Sequence, residues 1–186
     1  MNRRNFTQLA GITGLGLFSD PTLYATEKSL IKNTFNLAYA PHLGMFRHHA
    51  GEDPIDQLNF MADQGFRAFE DNEMRNRSVS LQEKISATMV KRGLRMGVFV
   101  AHKIYWEKPN LASGNKTSRE EFLDYIRKAI PVAKRVNAKW MTVVPGHVDL
   151  RQNIAYQTAN VIESLKQASA ILEPHNLVMV LEPLNF

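Results

Sequence analysis

Thr34-Phe35-Asn36-Leu37-Ala38-Tyr39-Ala40-Pro41-His42-Leu43-Gly44 sets an apolar run against a turn, and that turn decides between two folds. A doubly wound sheet built for a dinucleotide carries a GxGxxG turn straight after its first strand. Here residues 34–40 lead into Pro41-His42-Leu43-Gly44, which lacks the pattern, and no Walker A motif occurs in the chain. Four more apolar runs follow, at residues 66–70, 95–102, 139–145 and 177–184. Each is short and bounded by turn residues, as buried parallel strands are.

Amphipathic segments separate the runs. Asp53-Pro54 places an N-cap residue before a proline at the first helical position. Ser80-Leu81-Gln82-Glu83 and Ser118-Arg119-Glu120-Glu121 both read as capping boxes. Apolar residues recur at helical spacing: Ile55, Leu58, Met61, Ala62; Leu81, Ile85, Met89; Phe122, Ile126, Ala129, Ala133; Ile154, Val161, Leu165, Ala168, Leu172. Gly65, Gly93, Asn137 and Asn176 stand where left-handed helix stops belong, and Pro131 predicts a kink. Alternating strands and helices imply a parallel sheet with right-handed crossovers. Without the dinucleotide turn, the expected fold is a (β/α)8 barrel.

Composition narrows the function. The chain is 44% hydrophobic and 22% charged, which suits a globular domain and not a disordered one. The absence of cysteine removes disulfides, thiolate metal sites and a thiol nucleophile. The net charge of +5 is spread over helix faces, as at Lys91-Arg92 and Lys134-Arg135, so no nucleic-acid partner is expected. No apolar run approaches the roughly 20 residues of a membrane span. Asn2-Arg3-Arg4-Asn5-Phe6, ahead of a Gly-rich apolar stretch, reads as a twin-arginine-type signal over residues 1–25, with the periplasm as destination. The alternative is an amphipathic N-terminal helix.

Ligands of parallel α/β folds bind at the C-terminal ends of strands. His42, Glu70, His102, His147 and Glu182 stand at those ends. Val178, Val180 and Glu182 share one parity, as do Val98, Val100 and His102, so both rows are expected on the inner face. A carboxylate ending such a row is costly to bury unless a cation or a proton meets it. Plain structural roles stay open for the others. Glu70 can pair with Arg67 or Arg75, His102 can be a satisfied core histidine, and His147 and the His48-His49 pair can simply be solvated. The loop at residues 103–117 is long for its kind and carries Tyr105, Trp106 and Glu107, either as a cover over the site or as a surface excursion.

Val180-Leu181-Glu182-Pro183-Leu184-Asn185 resembles the fifth-strand signature of hydroxypyruvate isomerase-like proteins, in the xylose-isomerase-like TIM-barrel superfamily. Tyr39-Ala40-Pro41-His42-Leu43-Gly44-Met45-Phe46 and Asp63-Gln64-Gly65-Phe66-Arg67-Ala68-Phe69-Glu70-Asp71-Asn72 are similar to an exported branch of that family. The likeness covers residues 33–186. It implies a divalent metal, Mg2+ or Mn2+, with Glu182 as first ligand and as catalytic acid/base. It also implies aldose–ketose isomerisation of a small hydroxy-carbonyl substrate through an enediolate; His42, Glu70, His102 and His147 at the strand ends and Trp106 in the long loop stand as substrate-binding candidates. A sugar 3-epimerase on the same fold is the alternative, and a periplasmic binding module without turnover is a third.

A complete barrel takes about 250 residues. This chain, with only about five units, is expected to be the first part of one and inactive alone. The remaining metal ligands are expected beyond residue 186. Open sheet edges would favour a homo-oligomer.

Overall fold

The computed structural model describes residues 35–184; the leader read at residues 1–25 lies outside them. Five parallel segments pair in chain order. The amide of Glu70 bonds the carbonyl of Pro41 at 3.0 Å, Gly97 that of Phe69 at 2.7 Å, Thr142 that of Phe99 at 2.8 Å, and Glu182 that of Val143 at 3.0 Å. Regular strand geometry is confined to β1 (Ala68–Phe69), β2 (Arg95–Met96), β3 (Trp140–Val143) and β4 (Val178–Leu181). β1 pairs with β2, and β3 with β4, all parallel. The bridges His42–Glu70 and Val100–Thr142 join the rest.

The first strand expected at residues 34–40 is not where the sequence put it. Residues 35–40 form no strand, and pairing begins at His42. There Arg67 Nη2 donates to the carbonyls of Phe35 at 2.9 Å and Asn36 at 3.0 Å. The run at 95–102 keeps strand geometry only at its start. At Gly97 an added Cβ would stand 3.1 Å from the Phe69 carbonyl, so glycine permits that close approach.

The helices α2 (Pro54–Asp63), α3 (Val79–Arg92), α4 (Lys116–Arg135) and α5 (Ile154–Leu172) pack neighbour on neighbour, after a single turn α1 (Arg47–Ala50). Their buried faces hold Leu58, Met61, Ile85, Phe122 and Ile126 against Phe69, Phe99 and Met141. The strand alternation has the period expected: Phe99 and Ala101 are buried toward the helices, whereas Val98 and Val100 are half-covered on the opposite face. Likewise Met179 packs on the core while Val178, Val180 and Glu182 are exposed.

Asp53 caps α2 as read, accepting from the Ile55 amide at 2.7 Å. The two capping boxes are misplaced. Ser78, not Ser80, caps α3, accepting from the Leu81 amide at 3.2 Å. The earlier start puts Gln82 in the first turns, where its Nε2 donates to the carbonyls of Met74 and Arg77. Asn115, not Ser118, caps α4, accepting from the Ser118 amide at 3.1 Å. Pro131 sits inside α4 without ending it. Gly65, Gly93, Asn137 and Asn176 all take positive φ, as helix stops do. Ile154 is 63% exposed, because the apolar stripe of α5 meets the core only from Val161 onward.

These caps give a direct check. Ser78→Ala should lower the unfolding free energy by about 1 kcal/mol, and Ser80→Ala by less than about 0.5 kcal/mol. Equal losses in urea titrations would put the cap elsewhere.

Candidate active site

At the C-terminal ends of the parallel segments lies a cleft of about 430 Å³ whose lining includes Asn72, Arg75, His102, Lys103, Trp106 and Glu182. Three of the residues singled out from sequence therefore meet here: His102, Trp106 and Glu182. His42, Glu70 and His147 do not line it.

His102 is 3% exposed and sits edge-on to Phe122, with ring centroids 5.1 Å apart. The Val144 amide donates to its Nε2 at 3.1 Å, so Nδ1 carries the proton and donates to the Lys103 carbonyl at 2.8 Å. Burial pushes its pKa down to about 4, the Lys103 bond opposes the shift, and the charge of Arg75 adds to it. The ring is neutral at pH 7, with both nitrogens committed to backbone groups. It ties the end of β3 to the segment after β2 and forms a wall of the cleft.

Sequence reasoning missed the loop between β1 and α3. Asp71 is fully buried and receives Arg77 through Nε at 2.5 Å and Nη2 at 3.1 Å, and the Glu73 amide at 3.2 Å. Three donors offset the cost of taking that carboxylate out of water. His42 contributes here rather than in the cleft, its Nε2 accepting from the Asn72 amide at 3.2 Å. The loop so held presents Asn72, Glu73, Arg75 and Asn76 to the cleft. The visible signal was the polar run Glu70-Asp71-Asn72-Glu73-Met74-Arg75-Asn76-Arg77 at a strand end.

Glu70 is held by its backbone, and among the described residues it has no ion pair with Arg67 or Arg75. His49 stacks on Phe60 with centroids 5.7 Å apart and His48 is exposed; neither reaches the cleft. The loop after residue 103 ends at Asn115 and contains a 3-10 turn, Leu111–Ser113, anchored by Asn160. Tyr105 donates to the Glu121 carboxylate at 2.8 Å, and Trp106, 54% exposed, stands at the rim.

Glu182 is exposed, and its amide bond to Val143 fixes its backbone at the mouth. A magnesium-type ion wants several oxygen donors in near-octahedral array. Glu73 and Glu182 are the carboxylates lining the cleft among the described residues. No group of three or more histidine or acidic side chains converges there. The donor set for a cation is thus incomplete among the described residues.

The family model for xylose isomerase-like TIM barrels matches residues 58–186. This chain belongs to that family. No curated protein sequence matches it. Solved structures agree on the fold. The 3-keto-D-glucoside 4-epimerase YcjR from E. coli superposes with a TM-score of 0.63 at 17% identity, over 80% of this chain and 57% of its own. The AP endonuclease, family 2, from Brucella melitensis gives 0.60 at 19%, over 78% and 55%. The D-psicose 3-epimerase from Clostridium cellulolyticum H10, solved with D-tagatose, gives 0.62 at 14%, over 80% and 53%. The chain spans about half the length of these relatives. As a xylose isomerase-like barrel segment, it pairs its strands in the order that brings His102 and Glu182 to one mouth. No helix among the described residues is long and apolar enough to cross a membrane.

The depressed pKa of His102 makes stability depend on pH. Between its ordinary 6.5 and about 4, the unfolded chain binds a proton that the folded chain refuses. Stability therefore falls as pH falls through that window, by on the order of 3 kcal/mol once it is crossed. Urea unfolding from pH 7 to pH 4 should show the loss in the native chain and much less in His102→Gln; equal losses would refute the assignment.

Proposed function

We propose that the protein acts as an isomerase or epimerase of a small hydroxy-carbonyl compound, of the hydroxypyruvate isomerase type, by enediolate proton transfer. The observation that carries this reading is Glu182, an exposed carboxylate held at a barrel mouth beside a neutral, buried histidine.

Aldose–ketose isomerisation moves a proton between adjacent carbons. A base beside the C–H removes it, the electron pair forms the enediolate, and the proton returns to the neighbouring carbon while the hydroxyl proton changes oxygen. Glu182 serves as that base. Trp106 stands at the rim of the mouth, and the neutral His102 ring adds no charge of its own to it. A divalent cation, Mg2+ or Mn2+, belongs to this proposal with Glu182 as one donor, and would offset the charge of the developing oxyanion. Removal and return from one face gives isomerisation.

A second reading, 3-epimerisation of a ketose, draws support from the named epimerases of the same fold. It needs a second acid/base on the opposite face of the substrate. Substrate profiling on hydroxypyruvate and on free ketoses separates the two.

In a form of the protein as long as its solved relatives, Glu182→Gln should lower kcat by about 10²-fold or more with the fold intact by circular dichroism. Retained turnover would remove Glu182 from the role of base.

A further inference from the structure

Arg75 lines the cleft and takes no part in the proposed proton transfer. It lies in the single 3-10 turn Met74–Asn76, held from below by the buried Asp71–Arg77 pair. Its guanidinium lies over the Tyr125 ring, 4.9 Å from the centroid. Its Nε is buried without a hydrogen-bond partner, and it makes no ion pair among the described residues. Several other arginines have acceptors: Arg67 has two carbonyls, Arg77 has Asp71, and Arg92 has Asp63.

A buried donor without an acceptor costs about 1–3 kcal/mol, and an anion seated against this guanidinium would offset that cost. Arg75 lines the cleft that also holds Glu182, with Lys103 as a second cation in the wall; Glu73, the other carboxylate there, accepts from the side-chain amide of Asn76. Lys103 is itself drawn over the Tyr105 ring, 4.7 Å from its centroid. The planar guanidinium, backed by an aromatic face, presents a fork of donors matched to a carboxylate or a phosphate.

We propose that Arg75, assisted by Lys103, is the subsite for an anionic terminus on the substrate, so that the true substrate is a hydroxy-carbonyl acid or phosphate rather than a neutral sugar. The inference rests on the proposed location of the reaction at this cleft. It adds what that location alone does not supply, namely a charge on the end of the substrate away from Glu182. The proton moves at the carbonyl end while Arg75 holds the other end, which fixes the C–H against the carboxylate.

Three probes share one hydroxy-ketone and differ only at the terminus: hydroxypyruvate with a carboxylate, dihydroxyacetone phosphate with a phosphate, and dihydroxyacetone with neither. Titration of the 186-residue chain, followed by tryptophan fluorescence and checked by ligand-observed NMR, should show an anion bound about tenfold or more tightly than dihydroxyacetone. Which anion binds better names the terminus. Arg75→Gln should erase the preference, and Arg75→Lys, which keeps the charge without the fork, should restore part of it. Unfolding midpoints near that of the native chain confirm that the variants fold. Equal binding of all three probes, binding of none, or an anion preference that survives in folded Arg75→Gln would overturn the proposal. Anion binding in a longer form that shows no turnover would sink the isomerase reading and leave this subsite standing. Turnover of neutral ketoses, unchanged in Arg75→Gln, would do the reverse.

Discussion

Four backbone hydrogen bonds, from Glu70 to Pro41, Gly97 to Phe69, Thr142 to Phe99 and Glu182 to Val143, lace five segments into one parallel order. Everything else in the molecule depends on that lacing. Parallel strands in chain order put all their C-terminal ends at one mouth, and each connecting helix must return along one face. The helices then pack in sequence, and their buried stripes share one core with Phe69, Phe99 and Met141. The opposite face of the strands, carrying Val178, Val180 and Glu182, stays uncovered by the described residues.

The mouth is held by groups that do no chemistry themselves. His102 bridges the ends of two segments through Val144 and Lys103, and burial keeps its ring uncharged. Asp71 and Arg77 hold the neighbouring loop, with His42 bracing it through the Asn72 amide. With those polar atoms spent on backbone and on each other, the charged side chains that line the cleft are Glu73, Arg75, Lys103 and Glu182. Both signs of charge therefore meet at the mouth.

Much of the fold was legible because it rests on local chemistry. The alternation of short apolar runs with amphipathic segments, the Asp53-Pro54 start and the helix stops at Gly93 and Asn176 each depend on nearby residues. Glu182 and His102 were legible for a related reason: a polar residue closing an apolar row needs a special environment. What stayed hidden depended on distant partners. Nothing near Phe35 says that Arg67 will take its carbonyl, and nothing near Ser80 says that Gln82 must reach Met74. Arg75 stood in a visible polar run, but only the folded arrangement shows its Nε buried without an acceptor.

The proposed working mouth is the one at the C-terminal strand ends, beside Glu182 and Arg75. The molecule offers a rival location, a cavity of about 500 Å³ at the opposite ends, lined by Ala38, Arg95, Lys139 and Trp140. A crystal structure of the protein soaked with hydroxypyruvate decides between them. Ligand density is expected in the cleft, with the terminal oxygens in hydrogen-bond reach of the Arg75 guanidinium. Density confined to the cavity beside Lys139 and Trp140 would contradict it.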